Sequence, residues 1–144
     1  MKPLHLLHGL QRSRSGSTAI EFALLAPVFL ITIFGIIQSG MAMQEYNALR
    51  GVASDVARYA MVQRQKGLAI TTTSLQAYGT TVARSDLYKL PATGLQITVT
   101  QPATRVTDTT EYSITVRARV NNIMPIASFS NYFITYTRPI FVPD

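Results

Sequence analysis

The sequence predicts an α+β protein: a long N-terminal helix, membrane-spanning in its first half, whose outer half packs on a small three-stranded antiparallel sheet, with a possible second helix between them. Three observations carry this. Residues Phe22 to Gln44 form 23 consecutive positions without a charge. A stripe of apolar residues at helical spacing follows directly, and from Leu95 onward the apolar period changes to two. With 144 residues, 47% of them apolar, the chain has room for one membrane helix and one small domain.

Residues 1–16, MKPLHLLHGLQRSRSG, read as a basic leader carrying Lys2, Arg12 and Arg14. Its two histidines, His5 and His8, have no carboxylate or thiol nearby in sequence and lack the ligand set of a metal site. As a helix, the uncharged run would be about 34 Å long, against about 30 Å for a hydrocarbon core. Glu21 is the single ionisable side chain between Arg14 and Glu45. A carboxylate at the mouth of an apolar run is costly, about 2.5–3.5 kcal/mol at a helix centre, so it calls for a partner. Thr18-Ala19-Ile20-Glu21 fits a capping box, and a cut after Gly16 would place a new amino cation on Ser17, four positions away. Pro27, inside the run, removes one backbone donor and is expected to bend or loosen a turn.

Gly16-Ser17-Thr18-Ala19-Ile20-Glu21-Phe22 resembles the processing site of type IV-like prepilins, with glycine before the cut, glutamate fifth after it and an aromatic residue next. The wider run GSTAIEFALLAPVFLITIFGIIQSG, with Glu21-Phe22 and Pro27, is similar to the TadE-like family of pseudopilins, which belong to tight-adherence (Tad, Flp-type) pili. The specific part of the likeness covers Gly16 to about Tyr46. A mature chain starting at Ser17 departs from classical type IV pilins and type II secretion pseudopilins, which usually start with phenylalanine. The resemblance implies a minor pseudopilin in the bacterial inner membrane that takes part in assembling or priming an adhesive Tad pilus. It also implies partners: an aspartyl prepilin peptidase, other pilins and pseudopilins, the platform proteins and secretion ATPase of the pilus, and membrane lipid.

Beyond Gln44, Tyr46, Leu49, Ala53, Val56 and Ala60 follow 3,4,3,4 spacing and share one stripe, while Glu45, Arg50, Asp55, Arg58 and Arg64 fall largely off it. That face suits either the chain's own domain or another subunit. Arg64, Lys66 and Gly67 form a stop signal, so one helix from about Thr18 to Lys66 is expected, dividing the chain into leader 1–16, helix 17–66 with its membrane part at 22–44, and head 67–144. A second helix, Thr73 to Arg84, is marked by Leu75, Tyr78 and Val82 and weakened by Gly79-Thr80-Thr81. Strands are expected at Leu95–Thr100, Tyr112–Val120 and from Asn131 to about Thr137, the last bounded by Pro139. Three strands with one apolar face need a cover, and the long helix supplies it.

The net charge of +6 divides as +3 in residues 1–16, −1 at Glu21 and +4 downstream. The downstream arginines are scattered singly, without a basic run or interleaved aromatics, which argues against a nucleic-acid partner. Upstream Arg12 and Arg14 lie closest to the apolar run, placing the N-terminus in the cytoplasm and the head outside. An ordinary signal peptide is disfavoured because the apolar run exceeds about 15 residues and Ser39-Gly40-Met41-Ala42 is a poor cleavage site. The absence of cysteine excludes disulfides and thiol chemistry. The head has no histidine, and Asp55, Asp86, Asp108, Glu111 and Asp144 show no ligand spacing, with Asp108 and Glu111 read as part of a solvated turn. No enzyme, metal or cofactor is expected. The rival reading is an unprocessed single-pass envelope protein whose outer domain binds a ligand or partner. A major pilin is disfavoured by the substantial head.

Overall fold

The computed structural model describes residues 14–120, 123 and 132–143. The leader up to position 13 with its histidines, Asp144, and the connection 121–131 except Ile123 lie outside the described residues, as does the expected strand start at Asn131. Helix α1 runs from Arg14 to Gln65 and helix α2 from Thr72 to Ala83. Three strands follow: β1, Gln96–Thr100; β2, Thr109–Arg119; and β3, Phe133–Pro143. They form one antiparallel sheet of order β1-β2-β3. The chain divides into two compact units, Met1–Ile37 and Gln38–Asp144.

In the first unit α1 passes through Pro27 without a break. Its start at Arg14 is four residues before Thr18, which corrects the capping-box reading: a residue in the second turn cannot supply the N-cap, whose backbone must be non-helical.

The outer end of α1 closes on a Schellman motif. Gly67 sits at φ +71, its N–H donates to the Arg64 carbonyl at 2.9 Å, and the Leu68 N–H donates to the Gln63 carbonyl at 3.0 Å. Glycine takes this left-handed conformation without a Cβ clash, which is why the helix stops where the sequence placed the signal. Helix α2 opens on a capping box: the Thr71 hydroxyl accepts from the Ser74 N–H at 3.1 Å, and Ser74 accepts from the Thr71 N–H at 3.2 Å.

The core of the second unit is one cluster. Leu49, Val52, Ala53, Val56 and Ala60 come from α1, Leu75 and Ala83 from α2, Ile97 and Val99 from β1, and Tyr112, Ile114, Val116 and Ala118 from β2. Leu90, between α2 and β1, and Ile140 and Val142 on β3 complete it. The strand residues alternate, so one sheet face is apolar and covered while the other carries Thr98, Thr115 and Thr137 in register across three strands. Thr115 and Thr137 hydroxyls meet at 3.0 Å.

Two expectations about the sheet are corrected. β3 does not stop at Pro139 but runs on to Pro143, paired with β2 as far as Thr109. It is an edge strand, so a residue without an N–H is tolerated where that missing donor would face away from β2. Glu111, read as part of a solvated turn, lies within β2 and is 3% exposed.

Candidate functional site

The Met1–Ile37 unit consists, in its described part, of an apolar helix. Phe22, Leu24, Leu25, Val28, Phe29 and Ile36 are all exposed, Phe22 by 72%. None of the most apolar stretch is buried within the protein, and the helix is long and apolar enough to cross a membrane. A helix that is apolar all round and uncovered needs lipid or other helices as its surroundings.

Gly16 and Ser17 fall in the first turn of α1, and Glu21 and Phe22 lie exposed one to two turns on. The approach to the candidate cut is therefore helical from Arg14. Glycine inside a helix costs about 1 kcal/mol relative to alanine, which makes Gly16 a weak point in an end that is already prone to fray. Pro27, also exposed, cannot donate to the carbonyl of Ala23. One turn beyond, the Thr32 hydroxyl donates to the Val28 carbonyl at 2.9 Å.

Of the stripe on the outer half of α1, Leu49, Ala53, Val56 and Ala60 are fully buried under the chain's own head. The choice left open by the spacing is thereby decided: this face covers the sheet and α2. Tyr46 differs from its stripe neighbours. It stays 40% exposed and meets Tyr136 of β3 edge-on, with ring centroids 5.7 Å apart. Val52, fully buried beside Ala53, is the core residue that the narrow 3,4 stripe left out; its spacing of three from Leu49 and four to Val56 was the available signal.

Two polar clusters stand in the head. Arg105 clamps the buried Glu111, with Nη2 donating to Oε1 at 2.6 Å, Nε to Oε2 at 3.1 Å and its backbone N–H to Oε2 at 3.2 Å. Hydrogen bonding from Arg105 holds the Glu111 carboxyl below its ordinary pKa, against an opposing push from burial. The second cluster is Asp55, which accepts from Arg58 at 2.9 Å and from the Tyr88 hydroxyl at 2.9 Å. Burial, then the hydrogen bond to Asp55, raises the Tyr88 pKa. Tyr88 reaches Asp55 across Gly51, where an added Cβ would come within 2.8 Å of the ring carbon Cζ. Both clusters join one segment to another, and neither opens onto a nucleophile or a group of metal ligands. Among the described residues no three His, Asp or Glu side chains could hold a metal ion together.

A long apolar helix carrying a small α+β head on its outer half is the layout of a single-pass membrane protein. Residues 16–58 match the model of the TadE-like protein family, which bears out the resemblance read from Gly16 to Tyr46 and points to a protein associated with the Tad pilus. The match extends beyond the apolar run to Arg58 and so includes Leu49, Ala53 and Val56 of the head core. No curated protein and no solved structure gives a significant match.

Proposed function

We propose that this chain is a minor pseudopilin of a Tad pilus, held in the bacterial inner membrane by α1, cut between Gly16 and Ser17 by a prepilin peptidase, and used in assembling or priming the filament. The observation that carries the reading is the coincidence of the TadE-like match, from Gly16 onward, with a helix whose apolar residues the protein itself leaves uncovered. The head's role is structural: it holds the outer half of α1 and offers a folded surface outside the membrane. Its partners in this reading are other pilins and pseudopilins, the platform proteins and the secretion ATPase, with the N-terminus cytoplasmic. No catalysis is assigned to it.

N-terminal sequencing of the protein from membranes tests the assignment. A chain starting at Ser17 supports it. A chain starting at Met1, or lacking Met1 alone, supports an unprocessed single-pass protein instead. Gly16→Val should retain the leader, because a β-branched side chain does not fit where the peptidase reads glycine; a Ser17 start in that variant would show that the site is wrongly placed.

A further inference from the structure

Within the Gln38–Asp144 unit, three contacts between α1 and the chain running into and along β3 climb in step. The Ile123 N–H donates to Gln38 Oε1 at 3.1 Å, Tyr136 meets Tyr46, and Arg138 Nη1 donates to Ser54 Oγ at 2.7 Å. β3 therefore ascends alongside α1, and the end of the sheet where β3 begins lies toward Gln38. Tyr132, whose carbonyl accepts from the Val120 N–H at 3.0 Å, precedes Tyr136 by four residues. In extended chain that is about 13 Å, close to the roughly 12 Å that separate Gln38 from Tyr46 along the helix.

This end of the head has a distinct chemistry. Ile123 and Tyr132 are exposed, by 38% and 56%. Arg119 pairs with Phe133 in the β2–β3 register, and the Arg117 guanidinium lies over the Phe133 ring, 4.1 Å from its centre. The carboxylates Asp108 and Glu111 sit at the other end of β2. Within the sheet, apolar, aromatic and cationic side chains thus gather at the end where β3 begins, while Asp108 and the Arg105–Glu111 pair stand at the opposite one; on α1, Glu45 stands next to Tyr46.

Ile123 also sets a limit on the bilayer. Its backbone is neither helix nor strand, and irregular backbone exposed to lipid is not tolerated inside hydrocarbon because its polar groups lose water. At the level of Gln38 the hydrocarbon must therefore already have ended. Thr18 to Ile37, about 20 residues and so about 30 Å of helix, still suffices to span it.

We propose that the Gln38 end of the head rests on the outer lipid surface of an anionic membrane, with Ile123 and Tyr132 at the depth of the ester groups and Arg117 and Arg119 at the head groups, and that the hydrocarbon ends at Gln38, not Gln44. Aromatic residues favour that depth and each nearby cation adds attraction to anionic lipid. The inference rests on the membrane reading of α1, and the test separates the two.

The chain has no tryptophan, so Ile33→Trp, Met43→Trp, Ile123→Trp and Tyr132→Trp each give a single reporter. The full chain is placed in vesicles of phosphatidylethanolamine and phosphatidylglycerol containing phospholipid brominated near the ester groups or near the chain ends. Ile33→Trp should lose more emission to the deep bromines, Ile123→Trp and Tyr132→Trp more to the shallow ones, and Met43→Trp little to the deep ones. Quenching of Ile33→Trp with none at 123 and 132 overturns the resting surface and spares the membrane helix. Stronger deep than shallow quenching at Met43 or Ile123 overturns the boundary at Gln38. An unquenched Ile33→Trp overturns the membrane reading itself.

Discussion

Glu111 shows how much a single residue depends on the chain folded around it. Its carboxylate is buried at the start of β2 and held by one guanidinium from the preceding loop. Because the folded pKa lies below the unfolded value of about 4.3, the pair contributes stability above that pH and loses it as pH falls through the folded pKa. Glu111→Gln should therefore flatten the acid limb of the full chain's thermal-unfolding profile in detergent; an acid limb as steep as that of the parent would assign it to other carboxylates. At the opposite end of the chain, Glu21→Gln should leave the protein inserted and cut at Gly16. It should nevertheless reduce crosslinking to other pilins in membranes, because a Ser17 ammonium in an apolar bundle needs a charged partner. Crosslinking at the parent level would remove the charge-pairing role from Glu21.

Among the elements, α1 and α2 were the most legible in sequence, because helical period and a glycine stop signal are local, although the N-cap of α1 was misplaced at Thr18 and the Thr71–Ser74 cap of α2 was not read. Gly67 and the Arg64–Lys66 stretch marked the end of α1, and the 3,4 stripe marked four of its five core positions. What stayed hidden depended on tertiary contact. The spacing of Glu111 from Asp108 could not reveal that Arg105 would fold back to cover it, and Pro139 reads as a strand end unless the strand is known to be an edge. Gly79 is similar: it weakens α2 by propensity, yet a Cβ there would lie 3.1 Å from Val56 Cγ2 and 3.4 Å from Ile97 Cγ2, so the glycine admits both neighbours. Gly79→Val should overpack this junction and cost about 1–3 kcal/mol, read as a lowered midpoint of unfolding. Leu49→Ala, which empties a fully buried site on α1, should cost about 2–5 kcal/mol by the same measurement. A loss below about 1 kcal/mol at either position would mean that α1 and α2 do not share a tight core.

For the molecule as a whole, the membrane-length apolar helix was readable in sequence and its surroundings were not. The uncharged run, Glu21 and Gly16 are visible as composition and motif, whereas the level at which the head meets α1 depends on contacts 80 or more residues apart in sequence, such as Ile123 with Gln38 and Arg138 with Ser54. One feature of β3 bears on how such molecules behave when crowded. Pro139 and Pro143 stand four residues apart on an edge strand, so their nitrogens point the same way, and outward is the direction that leaves pairing with β2 intact. Two donors are thereby missing from the outer side of β3, one of the two edges at which a neighbour's strand could add. Sheets from adjacent copies are denied continuous pairing along that edge, so heads concentrated in a membrane do not fuse into a shared β-structure through β3.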